Sequence, residues 1–569
     1  MKNWRINLIL FLVFIIGAAI ISRLFFLQII NHKIYQAQAL GVQAGFSEVL
    51  GSRGEIFSEN SQESKGKNGS GEIKSLAINK DSWSASVDVK EIEDKTAFAK
   101  ILAEAVHEPE ESVLSKLENQ DSYALIKKDL STSQADKIKQ LNIKGLSWQN
   151  EQERYYPQEN MASQVLGFLG GEQTGQYGIE GYYEVLLKGK SGIKEEKKGL
   201  DLIFSNNNKE SLDGAALYLT IDYNIQFQAE SLLKKAKDDF DIDSGQIIVL
   251  KPDSGRILAL ADFPSFNLNQ YSKEKNFDIF QNSAVQKLFE PGSISKPFTM
   301  AIALNEGKIT PDTKFTDVGF VKVGIETIHN YDKKKYGEQT MTAVLEKSIN
   351  TGAVFASQQV SAKTYLNYID KFGLTQKTGI DLQGEVYSYN ENLRKGSDVG
   401  FATASFGQGI EVTPIQIVKG FSAFANSGKM VKPYMVEKII KDGEEIYTKP
   451  QVSEQIISQQ TASQITTMMT SVVEKGFGSG AKIPGYYLAG KTGTAQVPLK
   501  SGRGYDLDKT IQSFVGYGPA FNPQFLILVK LDDPKNSNSN LSAGSIFKKL
   551  AQYIINYWQI PPDYDANKK

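Results

Sequence analysis

The segment Glu290-Pro291-Gly292-Ser293-Ile294-Ser295-Lys296-Pro297-Phe298 runs directly into Thr299-Met300-Ala301-Ile302-Ala303-Leu304, a stretch apolar enough for a buried helix. A buried helix obliges the remaining chain to close over it. Pro291-Gly292 reads as the turn that starts this helix, with Ser293 in its first turn. Residues three apart share a helix face, so the Lys296 amine lies beside the Ser293 hydroxyl, while free N–H groups and the positive dipole end point at any developing anion. A nucleophile, a base and part of an oxyanion hole fit in one turn. Pro297 has no N–H to give the Ser293 carbonyl, so the first turn is expected to distort and hold local strain.

Spacing alone is weak support. The same Ser-x-x-Lys pattern occurs at Ser64/Lys67, Ser191/Lys194, Ser272/Lys275 and Ser545/Lys548, in polar or surface-helix surroundings where a solvated pair is the expectation. Composition narrows the chemistry further. Three histidines, His32, His107 and His329, stand singly, which disfavours a histidine metal site or a Ser-His-Asp triad and leaves lysine as the base a serine enzyme would need. The absence of cysteine excludes disulfides, thiolate metal sites and a cysteine nucleophile, and suits an extracytoplasmic protein. With 64 basic against 65 acidic residues, no bulk field suggests nucleic acid.

At 569 residues, two or three folded units plus a tail or anchor are expected. Residues 1–5 form a short basic start, read as a cytoplasmic tail. An uncharged run from Ile6 to Ser22 resumes as Leu24–Ile30 after Arg23, so residues 6–30 read as one transmembrane anchor. A cleavable signal peptide ending near Gly17-Ala18-Ala19 is the alternative. Lys2 and Arg5 orient the amino terminus inwards, an asymmetry that Arg23 and Lys33 dilute, which puts the remainder outside the plasma membrane.

Residues 31–215 are mixed and irregular, with strands expected around Phe46–Leu50 and Leu76–Val89, a flexible loop or hairpin tip over Gln62–Lys74, and helices near Lys95–Ala105 and Ser133–Leu141. Arg154-Tyr155-Tyr156-Pro157 then introduces a glycine-dense segment that ends in Tyr177-Gly178-Ile179-Glu180. Nothing in this half looks catalytic; it reads as a spacer or docking module. Residues 216–560 are better ordered, before a short tail over 561–569. An amphipathic helix through Ile225–Ala236 precedes strands Gln246–Leu250 and Arg256–Ala261; a largely helical region runs to Phe424. Strands Tyr486–Thr494, Ser513–Gly518 and Gln524–Leu531 follow, and a closing helix aligns Ile546, Phe547, Leu550, Ala551, Ile554, Ile555 and Trp558. The expectation is an α+β architecture: an antiparallel sheet between its first and last helices with an all-helical lobe inserted.

Two further segments are candidate partners of Ser293. Lys347-Ser348-Ile349-Asn350-Thr351 ends a helical pattern, where a second hydroxyl, Ser348, suits proton relay and the Asn350 amide suits orientation of a peptide bond. Ser-x-Asn also occurs at Ser58, Ser205 and Ser265, so in isolation Ser348 reads as a helix-terminus residue. Leu488-Ala489-Gly490-Lys491-Thr492-Gly493-Thr494-Ala495-Gln496 reads as a strand edge presenting Lys491, Thr492 and Thr494 to a carboxylate, with Gly490 and Gly493 admitting a ligand to the backbone. A decoy exists at Lys377-Thr378-Gly379, in a loop.

Ser-x-x-Lys, Ser-x-Asn and Lys-Thr-Gly in this order resemble the serine penicillin-recognising superfamily. The wider segments Glu290–Phe298, Gly245–Leu260, Phe406–Gln416 and Ser513–Ala520 look like class B penicillin-binding proteins, the monofunctional cell-wall transpeptidases. Arg23–Gln28, Arg53-Gly54-Glu55-Ile56 and Gly178–Glu184 are similar to that family's membrane-proximal and pedestal motifs. Ser58, where Asp is common, and Gln281, where Arg is usual, depart from it outside the three motifs. The short spacing from Gly171 to Gly178 and Asn350-Thr351-Gly352-Ala353 look closer to the division-type subgroup than to the elongation type.

The resemblance implies a penicillin-recognising transpeptidase fold over 216–560 behind an elongated pedestal, of the family's dimerisation type, over 31–215. It implies a D,D-transpeptidase acting on peptidoglycan stem peptides: Ser293 as nucleophile, Lys296 as base, Ser348 as proton relay, Asn350 on the acyl chain, and Lys491, Thr492, Gly493 and Thr494 at the terminal carboxylate. β-Lactams would acylate Ser293, no metal or organic cofactor is required, and a membrane glycan polymerase and division proteins are the implied partners. A β-lactamase, a β-lactam sensor and a non-catalytic scaffold are the rival readings. The first needs a deacylating base that the sequence does not reveal.

Overall fold

The computed structural model describes residues 4–25, 46–49, 51–59, 73–120, 122–141, 143–171, 173–190, 192–195, 212–331, 333–499, 504–535 and 538–566. Two compact units emerge, Met1–Gly54 with Val185–Ala215, and Glu55–Glu184 with Ala216–Lys569. In the first, the apolar run forms helix α1 (Trp4–Phe25), 22 residues long and about 33 Å at 1.5 Å per residue. Its side chains are described only from Leu10, Ala19 excepted, and are mostly exposed; counted over described residues alone, no helix is long and apolar enough to cross a membrane. Residues 26–30 of the expected anchor lie outside the described residues. Phe46–Val49 pairs antiparallel with Gly192–Glu195.

The second unit begins with β1 (Ile56–Glu59), β2 (Ile73–Asp88), β3 (Tyr123–Leu130), β4 (Leu146–Tyr155) and β5 (Ala216–Leu219). It continues through α2 (Tyr223–Phe240), β6 (Ser244–Leu250), β7 (Ile257–Phe263), α3 (Lys296–Asn305), α4 (Met341–Glu346), α5 (Asn350–Gln358) and α6 (Pro414–Ala425). The remainder is β8 (Val436–Lys441), β9 (Glu444–Tyr447), α7 (Gln459–Lys475), β10 (Ala489–Pro498), β11 (Tyr505–Gly518), β12 (Phe525–Asp532) and α8 (Ala543–Tyr557).

Five of these strands make an antiparallel sheet in the order β7-β6-β12-β11-β10. Strand side chains alternate between faces. One face, with Ile247, Val249, Phe514, Ile527 and Val529, forms a core with the stripes of α2 and α8, including Leu233, Phe547, Leu550 and Ile554. The alternate residues Ile248, Val515, Leu526 and Leu528 are equally buried on the other face, towards which α6 and α7 pack. Helix α3 is enclosed there, buried from Lys296 to Leu304, with Phe298 in edge-to-face contact with Phe372 and Phe421. Burying an aromatic of this size contributes roughly 1.5–3 kcal/mol. Asp222 caps α2 by accepting from the Asn224 and Ile225 amides.

The inserted lobe differs from the all-helical expectation. Lys314–Asp317 pairs with Gly337–Thr340 and Phe320–Val323 with Glu326–His329, both antiparallel. These strands are short, mostly polar and turned at positive-φ Gly319 and Gly324, so they carry no apolar period to read.

A second sheet draws strands from both sides of residue 215, in the order β9-β8-β5-β1-β2-β3 with β4 also on β2. Its key contact is parallel: Ile56–Ser58 beside Leu217–Leu219. β1 and β2 are antiparallel neighbours, with Ser58 opposite Lys74; most of the expected loop over 62–74 lies outside the described residues. The helices Lys95–Val106, Glu110–Glu118 and Thr132–Leu141 bury Phe98, Leu102, Val113, Leu117 and Ile138 against β2 and β3.

Arg154 and Glu180, from the two polar motifs of this half, form a buried ion pair with Nε to Oε1 at 2.7 Å. Tyr156 adds a hydroxyl donated to the same oxygen at 3.3 Å, and Asn79 accepts from Arg154 Nη1 at 3.2 Å. Removing one member of a buried pair strands the other charge. Arg154→Ala should therefore lower unfolding free energy by about 3–5 kcal/mol, whereas Arg154→Met with Glu180→Met should recover much of that loss, as read by urea unfolding of the purified protein.

Candidate active site

The proline after Lys296 shapes the turn that holds Ser293. Residues Gly292–Ser295 form a 3-10 turn in which the Lys296 amide donates to the Ser293 carbonyl, three residues back. Pro297 lies at the start of α3, where a missing N–H costs nothing. The expected distortion is thus a tightened turn, and strain is avoided. Ser295 Oγ donates to the Gly292 carbonyl at 2.7 Å and the Gly292 amide to the Gly407 carbonyl at 3.0 Å. Of this turn, Ser293 alone keeps appreciable exposure.

Lys296 is fully buried, and its Nζ lies 3.0 Å from Ser293 Oγ, 2.8 Å from Asn350 Oδ1, and 2.6 and 3.2 Å from the carbonyl oxygen and Oγ of Ser348. Burial holds the Lys296 pKa well below the ordinary lysine range, and the neighbouring Lys491 cation lowers it further. Lys491, also fully buried, donates to Ser348 Oγ at 3.0 Å and to the Thr492 carbonyl at 3.0 Å. Its pKa falls to about 7 through burial.

Ser348 therefore stands between two amines. It links α4 to α5 with φ of 54°, a left-handed conformation that costs a non-glycine residue about 1–2 kcal/mol. That turn aims both its carbonyl and its hydroxyl at Lys296. Asn350 begins a new helix, α5, rather than ending the preceding pattern, and its Nδ2 donates to the His329 carbonyl at 3.1 Å. The next residue anchors the helix start: Thr351 Oγ1 donates to buried Asp317 at 2.7 Å, and Asp317 also accepts from Asn330 Nδ2 at 2.9 Å.

Strand β10 lies against the serine turn because Gly493 permits it, while Gly490 makes room for the neighbouring strand β11. A Cβ on Gly493 would sit 2.4 Å from Ser513 Oγ and 2.8 Å from Ile294 Cγ2. One on Gly490 would sit 2.6 Å from Phe514. Thr492 is buried, and Thr494 is half-buried with Oγ1 donating to Ser539 Oγ at 3.2 Å. Ser293, Ser348, Asn350, Thr492 and Thr494 line one cavity of about 350 Å3, while Lys296 and Lys491 sit behind its wall.

Tyr331, Tyr336 and Phe477, which carry no sequence signal of their own, also line the cavity, together with Phe406 from the Phe406–Gln416 segment and Gln496 from the Leu488–Gln496 segment. The rest of the Phe406–Gln416 motif acts from behind: Gly409 donates its amide to Glu290 Oε1 at 3.0 Å, Tyr505 donates its hydroxyl to Glu290 Oε2 at 3.1 Å, and Phe289 bridges Val412. Burial raises the Glu290 pKa. The decoy Thr378 donates to Glu385 inside its own loop.

Comparison with known proteins gives the family. Residues 245–552 match the model described as "Penicillin binding protein transpeptidase domain", and residues 48–219 match "Penicillin-binding Protein dimerisation domain". Stage V sporulation protein D of Bacillus subtilis is 33% identical over 473 residues, 81% of this chain and 73% of that protein. The Pseudomonas aeruginosa protein "Probable peptidoglycan D,D-transpeptidase PbpC" is 30% identical over 576 residues, 99% of this chain and 96% of that one. In fold, penicillin binding protein 2X from Streptococcus thermophilus superposes with a TM-score of 0.73 at 23% identity, over 90% of this chain and 81% of that one.

Gly407 has φ of 83°, and a Cβ there would lie 2.2 Å from the Gly292 carbonyl oxygen. Gly407→Ala should displace the Ser293 turn and slow penicillin acylation by about 100-fold, measured by stopped labelling with a fluorescent penicillin, with the fold retained by circular dichroism.

Proposed function

This chain belongs to the class B penicillin-binding proteins and is a serine-type D,D-transpeptidase, and we propose that it cross-links peptidoglycan stem peptides through an acyl-enzyme on Ser293. The observation that carries this reading is the wholly buried Lys296 amine 3.0 Å from Ser293 Oγ, its pKa pushed well below the ordinary range. As a neutral amine it takes the serine proton while Oγ attacks the carbonyl of the penultimate D-Ala. The backbone N–H groups of Ser293 and Thr494 hold the developing oxyanion, typically about 3 kcal/mol for one donor. Ser348 Oγ, between Lys296 and Lys491, passes the proton to the leaving D-Ala nitrogen, and an acceptor amine then resolves the acyl-enzyme. Asn350 orients the acyl chain; Lys491, Thr492 and Thr494 hold the terminal carboxylate, while Gly493 between the threonines keeps β10 against the serine turn. β-Lactams present a similar amide and carboxylate and acylate the same oxygen.

In the same reading, residues 216–560 are the transpeptidase domain and 31–215 the pedestal, held to the plasma membrane by a single span over 6–30 with residues 1–5 inside. The uncharged run of α1 and the basic start support that topology. The work is at the septum, alongside a membrane glycan polymerase and division proteins; the short Gly171–Gly178 spacing and Asn350-Thr351-Gly352-Ala353 support the division role.

Incubation with benzylpenicillin should add one penicilloyl mass to the intact protein, located to the Ser293 peptide and long-lived; Ser293→Ala should add none, and Lys296→Ala should acylate at least 100-fold more slowly. Rapid turnover of the drug would favour a lactamase instead. Depletion in cells should give filaments blocked in division; rounded cells would point to an elongation role.

A further inference from the structure

The turn between α4 and α5 carries a third lysine. Lys347 lines the cleft beside Ser293, Tyr331 and Tyr336 and is partly exposed, unlike Lys296 and Lys491. Its ammonium donates to Gln339 Oε1 at 2.8 Å and lies 5.8 Å from the centre of the Tyr336 ring. Gln339 is fixed for that role, because its Nε2 donates to the Tyr336 and Glu338 carbonyls at 2.9 and 2.7 Å and leaves Oε1 as the acceptor. A neutral partner positions the ammonium without cancelling its charge and leaves N–H donors to spare.

Among the described residues, the acids nearby are committed elsewhere. Glu338 pairs with Lys314 at 2.9 Å, Glu346 accepts from Ser471, and Asp317 accepts from Gly319, Asn330, Tyr336 and Thr351. Among the described residues none that lines the cleft is acidic, and no carboxylate lies within ion-pairing distance of Lys347. The segment from Tyr331 to Tyr336 adds three lysines against one aspartate, with Lys333 and Lys335 exposed. The cleft mouth therefore attracts anions, and a partly desolvated ammonium with free donors is suited to a carboxylate.

We propose that Lys347 determines specificity by binding a second carboxylate of the stem-peptide substrate, distinct from the terminal carboxylate held at Lys491. This rests on the transpeptidase reading above. Two sources offer the same chemistry: a side-chain carboxylate of the donor peptide, or the carboxylate beside the attacking amine of the acceptor. Amidation of that group would remove the anion and make a poorer substrate.

The test uses the full-length protein, Lys347→Gln and Lys347→Arg, with D-Ala-D-Ala donor peptides bearing a free or amidated side-chain carboxylate and with a D-amino acid acceptor or its amide. Wild type should prefer the free acid by about tenfold in kcat/KM, mainly through KM, in one of the two pairs, which identifies the source. Lys347→Gln should abolish that preference and Lys347→Arg retain it, while benzylpenicillin acylation of Ser293 stays within about twofold in both. Equal use of acid and amide by wild type, or equal losses on both in Lys347→Gln, would overturn the proposal. Failure of wild type to acylate with benzylpenicillin would instead sink the transpeptidase reading itself.

Discussion

Two lysine amines, Lys296 and Lys491, are fully buried with Ser348 Oγ as their shared partner, and neither has a carboxylate within ion-pairing distance among the described residues. An ammonium out of water with no counter-charge is costly by several kcal/mol, and two together are worse, so the protein favours losing a proton there. The cheapest proton to lose is that of Lys296, which feels burial and Lys491 together, whereas Lys491 sits near pKa 7. Chemistry that is out of reach for a solvated lysine, taking a proton from a serine at neutral pH, follows from that placement.

Much of the architecture serves to keep those amines dry and close. Helix α3 is enclosed by aromatic side chains, which fixes the root of Lys296. The five-stranded sheet brings Lys491 in on its edge strand β10, and Gly493 lets that strand lie against the serine turn. Ser348 accepts a left-handed backbone to face both, a local cost held in place by α4 on one side and the Thr351–Asp317–Asn330 bonds on the other. Behind the turn, Gly407 and Glu290 fix its position.

The elements with strong apolar periods were readable along the chain. The stripe Ile225–Ala236 lies within α2, and Ile546–Ile555 within α8, because a helix packed on one sheet face must repeat every three to four residues. The juxtaposition of Ser293, Ser348 and Lys491 was readable only as three motifs in order. What brings them together is non-local packing, of α3 against α4 and α5 and of β10 against the serine turn, which leaves no local trace. The same holds for Ile56–Ser58 beside Leu217–Leu219, a parallel contact across most of the pedestal. Asp317 and Asn330 were invisible for another reason: they are single polar residues at the end of, and just after, short strands, and only their convergence on Thr351 gives them a role. The Lys377-Thr378-Gly379 decoy illustrates the converse, since its hydroxyl and amides are spent on Glu385 within one loop.

The central claim is that Lys296 is a neutral amine at physiological pH. The most direct measurement is the pH dependence of the acylation rate constant of Ser293 with benzylpenicillin between pH 5 and about 10.5, the ordinary lysine value. Because protonation removes the base, the rate should be on its plateau at neutral pH and fall only as pH drops through the depressed pKa. A rate that instead keeps climbing tenfold per pH unit from neutrality towards the ordinary lysine value would show a protonated Lys296 and contradict the account.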